Sequence, residues 1–342
     1  MKSITIHAAK DLRIEEHSEP KPGPGEVLVK MEAGGICGSD LHYFNHGGFG
    51  TVRLKEPMIL GHEVAGRVEQ VGENVIGLEK GQLVAVSPSR PCGKCHFCQE
   101  GSQNHCLNMR FYGSAMPFPH IQGAFRQVLL ADAAQCTPAD GLSAAEAATA
   151  EPLSVVLHAA RQAGDLMGKR VLVTGCGPIG MLAVLVVKAA GALEIVVTDI
   201  TSFTLQRALE VGADQTIDMA KDPNGLAQFE EGKGHFDVLF ECSGVAAALS
   251  AAIAAMRPKG TIMQLGLGGD MTLPVQAMTA KELSLKGSFR FHDEFSQAVM
   301  MMQAGRIDVK PLITHSIPLD EAISAFELAS DRTQAIKVQI VF

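Results

Sequence analysis

The sequence predicts two parts: a β-rich first part, then an α/β part built on a doubly wound parallel sheet. Three observations carry this prediction. The first ~145 residues are rich in glycine and proline and hold several short β-like runs separated by turn signals. The composition changes near Leu142, where "SAAEAATAEPLSVVLHAARQAG" has helical character. The span Lys169 to Ile200 then runs strand, glycine turn, helix, strand, and such alternation implies parallel strands with crossover helices.

The elements follow in order. The start, "MKSITIHAAKDLRIEE", alternates like a strand and lacks the long apolar run of a signal peptide. "EVLVKMEAGG", "VAGRVEQVG", "QLVAVSP" and "AFRQVLLA" continue the β pattern. In the second part, "FDVLFECSG" and "GTIMQLGLG" have the character of buried strands that end at glycine. After about Phe291 the pattern is helix, short irregular stretch, helix and a last strand, "AIKVQIVF". "AVMMMQAG" is expected to be a Met-rich core face rather than a cofactor site.

Composition narrows the function. A chain of 342 residues fits one large domain or two medium ones and can bury a core without disulfides. Apolar residues at 46% and charged residues at 19% are ordinary for a globular protein. No run has the length and apolarity of a membrane span, so a cytoplasmic protein with no membrane partner is expected. A formal charge of -8 argues against a nucleic-acid partner, since phosphate binding favours a basic surface.

Four of the eight cysteines fall in "PCGKCHFCQEGSQNHC" as Cys92-x2-Cys95-x2-Cys98-x7-Cys106. Tight Cys-x2-Cys steps let two thiolates face one ion, and Cys106 can close a tetrahedral site. A structural zinc lobe over about 91–107 is the expectation. Free thiols or an iron–sulfur cluster are the alternatives. A four-thiolate site is closed, so the chemistry belongs elsewhere. Cys136, Cys176 and Cys242 are expected to be small buried hydrophobes.

"VLVTGCGPIG" sets Gly175, Gly177 and Gly180 in G-x-G-x-x-G spacing, between a strand-like Val171–Val173 and a helix from Met181. Such glycines allow a tight turn and let backbone amides and a helix N-terminus approach a pyrophosphate. A second strand, Ile195 to Val197, is followed by Asp199, whose carboxylate suits a ribose 2'-hydroxyl and repels a 2'-phosphate. NAD is therefore expected. NADP is the alternative, because Arg207 follows, although an exposed helix charge is its expected role.

A second constellation holds Cys37, Ser39 and His42 in "GGICGSDLHYF", His62 and Glu63 in "ILGHEVAG", and Glu151 in "AEPLSV". Each alone is bland. Together a thiolate, an imidazole and carboxylates make a catalytic zinc set with room for substrate.

Gly61-His62-Glu63-Val64-Ala65-Gly66, with Gly72 and Val75 after it, resembles the signature of zinc-containing medium-chain alcohol dehydrogenases. Cys37-Gly38-Ser39-Asp40, the cysteine lobe and the glycine motif follow in that family's order, so the resemblance spans essentially the whole chain. "CGSDLHY", "LGHE" and "AEPLSV" are most similar to the polyol dehydrogenase branch. "NMRFYGSAMPFPH", "KGSFRFHDEF" and "TQAIKVQIVF" resemble its sugar-acid members, which interconvert L-idonate and 5-keto-D-gluconate.

The resemblance implies a GroES-like β catalytic domain over 1–145, a Rossmann coenzyme domain over 146–288, and a segment 289–342 returning to the catalytic domain. It implies two zinc ions per subunit. Cys92, Cys95, Cys98 and Cys106 would hold the structural one. Cys37, His62 and Glu63 would hold the catalytic one, with Glu151 as a ligand or a partner of the zinc-bound water. Ser39 and His42 would relay a proton to solvent. Pro178, Ile179 and Leu265 would join the glycines and Asp199 around NAD. A homotetramer is implied, with a homodimer as the alternative.

A sugar acid differs from a polyol by one carboxylate, which an arginine can grip with two parallel bonds. Arg110, beside Phe111 and Tyr112, is the expected reader of that carboxylate. A surface charge is its alternative role. Arg290 is less diagnostic, because polyol dehydrogenases share it. Tyr43 is expected in the pocket wall. The expected activity is hydride transfer between NAD(H) and the C5 alcohol of a sugar acid. A polyol dehydrogenase is the nearest rival, a threonine dehydrogenase a weaker one, and a non-catalytic dinucleotide-binding scaffold the most remote.

Overall fold

The computed structural model describes residues 1–342. The N-terminal run makes two strands, Lys2–Ala8 and Asp11–Glu16, rather than one. Ala9 and Lys10 turn the chain between them, and Lys10 adopts the left-handed region at φ 63°.

The β part centres on Glu26–Gly35, whose apolar residues Val27, Leu28, Val29 and Met31 are all buried. This strand lies within a seven-stranded sheet. Across the sheet the order is Cys136–Pro138, Leu83–Val86, Glu63–Val71, Glu26–Gly35, Lys337–Val341 and Ile313–Pro318, and Val128–Asp132 also pairs with the central strand. The last strand of the chain thus pairs with one of the first, with Gln339 opposite Gly35.

The second part is a six-stranded parallel sheet. Its order is Gln215–Asp218, Glu194–Asp199, Arg170–Thr174, Phe236–Glu241, Met256–Gln264 and Ser284–Gly287. Strands added first to one side and then to the other leave a crevice at the carboxyl end of the first, where strand order reverses. The Gly175 turn sits at that end of Arg170–Thr174. Val171, Leu172 and Val173 are fully buried, as expected for a strand covered on both faces.

Three details depart from the sequence reading. The irregular stretch before the last helix contains the strand Ile313–Pro318, paired parallel to Lys337–Val341. It is half-exposed along its length, so it carries no clean apolar alternation. Helix Glu294–Gln303 buries Met302, but Met300 faces solvent at 55% exposure, so its Met-rich face is only partly core. Residues 289–342 divide between the two cores. Phe291, Phe295 and Val299 pack with Val171 and Val197, whereas Phe326 and Ile340 pack with Ile4 and Phe125. No helix is long and apolar enough to cross a membrane.

Candidate active site

The strand Glu26–Gly35 leads through Ile36 to Cys37, which caps helix Gly38–His46. Asp40, in the first turn of that helix, is fully buried. Its carboxylate accepts hydrogen bonds from Cys37 N–H at 3.0 Å and Gly61 N–H at 3.2 Å. One side chain therefore fixes both the turn carrying Cys37 and the turn before His62. The Cys37 sulfur, a His62 ring nitrogen and a Glu63 carboxylate oxygen lie within 4.8 Å of one another. Glu63 pairs with Gly35, where an added Cβ would press on the Glu63 carboxylate, 3.2 Å from its carbon.

Anionic groups crowd this point. Burial alone would lower the His62 pKa, but Asp40 and Cys37 outweigh it and hold the ring well above its ordinary value. His62 Nδ1 lies 3.7 Å from Asp40 Oδ1 and has no hydrogen-bond partner despite its burial. Glu151, in the first turn of helix Ala150–Ala163, is pushed up to about 7, chiefly by burial. It senses His62, Glu63, Lys337 and Asp40 but does not share the close convergence of Cys37, His62 and Glu63. Lys337 Nζ sits 2.7 and 2.9 Å from the two Glu63 oxygens and is 3% exposed. Burial opposes its charge, but Glu63 and Cys37 raise its pKa overall. A soft sulfur, an imidazole and a carboxylate, set among further acids, fit a divalent zinc ion with one position left open.

Ser39 and His42 lie three residues apart on helix Gly38–His46, on the side away from the buried Asp40, Tyr43 and Phe44. His42 is exposed at the protein surface. Its pKa is lowered by burial of part of the ring, by His46 and by Arg332. Tyr43 is 2% exposed, and its hydroxyl accepts from Ala115 N–H at 3.0 Å, so it packs as core rather than as an open pocket wall.

The structure places the two arginines differently with respect to the centre. Arg110 and Phe111 form a two-residue strand, and adjacent strand residues point to opposite sides. Phe111 is buried, 5.7 Å from the His62 ring, so Arg110 points away from the centre and is exposed. Arg290 is the arginine that faces it. Its guanidinium stacks on Phe111 at 4.2 Å and Phe289 at 4.9 Å, and it lies within electrostatic reach of Glu151 and Tyr43. It has no carboxylate partner, and its backbone holds the left-handed region at φ 55°.

The four lobe cysteines also converge, all within 4.8 Å. They are free thiols, with Cys95 Sγ 3.5 Å from Cys98 Sγ and 4.0 Å from Cys106 Sγ. Disulfide sulfurs lie near 2 Å, whereas four sulfurs around zinc at ~2.3 Å are about 3.8 Å apart. Lys94 N–H and Asn108 lower the Cys92 thiol to about 6, favouring the thiolate that binds metal. The lobe also touches the Arg290 segment, because Asn104 Nδ2 donates to the Phe289 carbonyl at 3.0 Å.

A cavity of about 750 Å³ joins this centre to the parallel sheet. Cys37, Glu63 and Lys337 line one end. Gly175, Gly177, Pro178, Ile179, Gly180 and Asp199 line the other. Gly175 has φ 82°, and an added Cβ there would come within 2.7 Å of the Ser243 backbone. Asp199 accepts from Cys176 N–H at 2.6 Å, Ile200 N–H at 2.7 Å and Thr201 N–H at 2.9 Å. Arg207 is paired with Glu210 at 2.8 Å and does not line the cavity. Leu265 does not line the cavity, and its N–H donates to the Glu241 carbonyl at 2.9 Å.

The sequence motifs assign no site role to Asp40, Lys337 or Arg332. Asp40 lies inside the quoted "CGSD" and could have been found as the helix's first-turn acid. Nothing near Lys337 or Arg332 in the chain signals a role, because both reach the site from the far end of the sequence.

The family model of the alcohol dehydrogenase GroES-like domain matches residues 23–141, and that of the zinc-binding dehydrogenases matches residues 178–304. The chain is 44% identical over 318 residues to the L-idonate 5-dehydrogenase (NAD(P)(+)) of Escherichia coli strain K12, covering 92% of each chain. It is 40% identical over 330 residues to human sorbitol dehydrogenase, covering 95% of this chain and 91% of that one. The crystal structure of the Escherichia coli L-idonate 5-dehydrogenase superposes with a TM-score of 0.95 at 41% identity, covering 100% of this chain and 98% of that one.

Proposed function

This chain belongs to the zinc-binding, GroES-like alcohol dehydrogenase family, and from that premise we propose that it transfers a hydride between NAD(H) and C5 of L-idonate, giving 5-keto-D-gluconate. The observation that carries this reading is the single cavity that holds Cys37 and Glu63 at one end and the glycine turn with Asp199 at the other. Hydride transfer requires the alcohol carbon and a nicotinamide ring in contact, and one continuous cavity allows that.

Cys37, His62 and Glu63 would hold the zinc, and Glu151 stands beside them. Bound there, zinc supplies Lewis acidity that eases ionisation of a substrate hydroxyl. Ser39 and His42, on the helix that Cys37 caps, carry the proton outward. Asp199 takes the adenosine ribose hydroxyls and disfavours a 2'-phosphate, so NAD is preferred. Arg290 grips the substrate carboxylate, since it is half-buried, stacked in place and without a carboxylate partner.

Sorbitol-type polyol oxidation is the second reading, supported by the 40% identity to human sorbitol dehydrogenase. Initial rates with L-idonate, D-gluconate, sorbitol and L-threonine, each with NAD and NADP, decide between them. Idonate with NAD is expected to lead. Arg290→Ala should raise the idonate KM at least ~10-fold, the scale of a lost charge-assisted bond pair, while Arg110→Ala leaves it near wild type. Turnover of sorbitol but not idonate would overturn the sugar-acid assignment. An exposed outer edge on strand Ser284–Gly287 supports assembly with further copies, as a homotetramer or homodimer, which sedimentation would distinguish.

A further inference from the structure

Helix Gly38–His46 carries a second histidine, His46, beside the proton carrier His42. The two are four residues apart, which places both imidazoles on one face of the helix, one turn from each other. Their ring centroids are 6.1 Å apart, and both residues are exposed. His42 also rests against the Phe49 ring at 5.8 Å. Neither imidazole has a hydrogen-bond or ion-pair partner, so each keeps a nitrogen free.

The last turn of this helix is held closed. Gly47 caps it at φ 67°, and its N–H donates to the Tyr43 carbonyl at 2.9 Å. Tyr43 and Phe44, between the two histidines in the chain, are buried and anchor the helix from beneath. Two imidazoles at i and i+4 on one helix face can hold a single transition ion. An ion bound at ~2.1 Å by one nitrogen of each ring sets the two centroids ~5–6.5 Å apart. The separation of 6.1 Å falls within that span. Burial of part of the ring, His46 and Arg332 all lower the His42 pKa, so near neutrality the ring is unprotonated, the state that coordinates a metal. The carbonyl end of the helix favours positive charge, whereas Arg332 opposes it. Binding is therefore weaker than at the two sites that hold thiolates.

We propose that His42 and His46 form a third metal site, which takes a divalent transition ion such as zinc from solution and thereby inhibits the enzyme. Two imidazole nitrogens hold the ion, and water completes its sphere. Both ligands lie on one helix and face solvent, unlike those of the Cys37 centre and the cysteine lobe. The ion occupies the lone pair with which His42 accepts a proton from Ser39, so proton release slows while substrate and NAD still bind. The inhibition rests on the relay role given to Ser39 and His42 above. The metal binding rests on the histidine pair alone.

The test uses the full chain loaded with its two zinc ions, and zinc as the added ion, since it cannot replace a resident ion with a different metal. Calorimetric titration should show one further, weaker ion in wild type and none in His46→Gln. Added zinc should lower kcat in wild type with little change in either KM. His46→Gln should keep the wild-type rate without added zinc. It should raise the zinc concentration for half-inhibition ~10-fold or more, the scale of losing one arm of a two-armed ligand. His17→Gln, which removes another exposed histidine, should leave the inhibition unchanged. A chelator should restore the rate before the two resident ions are lost. No additional ion in wild type, or equal binding in wild type and His46→Gln, would overturn the site. Binding through His46 with no change in rate would overturn the inhibition, and with it the relay role of His42. A chain that oxidises no alcohol would overturn the dehydrogenase reading and the inhibition, while the titration still decides the metal site.

Discussion

The cysteine lobe and the Cys37 centre both gather thiol and other donors around a point, but they are assembled in opposite ways. The lobe draws all four donors from residues 92–106, tied by local bonds such as Cys92 N–H to Cys106 Sγ at 3.1 Å. The Cys37 centre takes Cys37 from the end of one strand, and His62 and Glu63 from the start of another. Lys337 reaches it from the last strand and Glu151 from a helix. A local set of four like donors closes a coordination sphere. A set drawn from several elements leaves a side open and faces the cavity. Structure goes with the first and chemistry with the second.

Breaking the open centre should produce the largest effect. Cys37→Ser removes a soft donor and with it most of the several kcal/mol of Lewis-acid stabilisation, on the order of 10³ in kcat. The melting temperature should move little, and metal analysis should fall from two zinc per chain toward one. An active Cys37→Ser enzyme with full metal content would remove the contrast between the two sites.

The lobe should respond the other way. Cys98→Ser opens a closed sphere whose metal binding is folding energy, so a loss of ~3 kcal/mol or more is expected, roughly 5–10 °C in Tm. Thermal melts and metal analysis follow it. Zinc at the Cys37 centre should remain. Substrate KM should rise, because Asn104 of the lobe supports the Phe289–Arg290 segment.

The smallest effect sharpens the comparison at the frame of the open centre. Glu294 holds His158 at 3.2 Å and Arg161 at 2.9 Å on the helix that carries Glu151, and accepts from His292 N–H at 3.0 Å, next to the Arg290 segment. Burial would raise its pKa, but the His158 and His292 hydrogen bonds prevail and hold it at about 2, below the ordinary 4.5. A depressed carboxylate stabilises the fold fully above about pH 4.5, and that contribution is lost as pH falls through about 2. Urea midpoints across this range should therefore fall more steeply in wild type than in Glu294→Gln. Parallel profiles would show that Glu294 does not brace this frame.

Much of the molecule was legible in the chain. Strand alternation, the glycine turn at Gly175–Gly180 and the Cys92–Cys106 spacing are short-range patterns, and each depends on residues close in sequence. The strand Ile313–Pro318 is not legible in the sequence, because its half-exposed residues carry no apolar period. Which of Arg110 and Arg290 faces the centre was not legible, because strand direction, invisible in composition, turns Phe111 inward and Arg110 outward.

By itself the sequence determined the two-part architecture, the local cysteine set, the dinucleotide turn and the donor types at Cys37, His62 and Glu63. Only the tertiary structure decided which groups meet those donors. Asp40 bridges two turns, Lys337 closes on Glu63 across nearly the whole chain length, and Arg290 rather than Arg110 faces the centre. The reason is physical. Donor chemistry is a property of side chains, but the field around a donor is set by whichever charges the packed sheets and helices bring near it in a medium that screens them weakly.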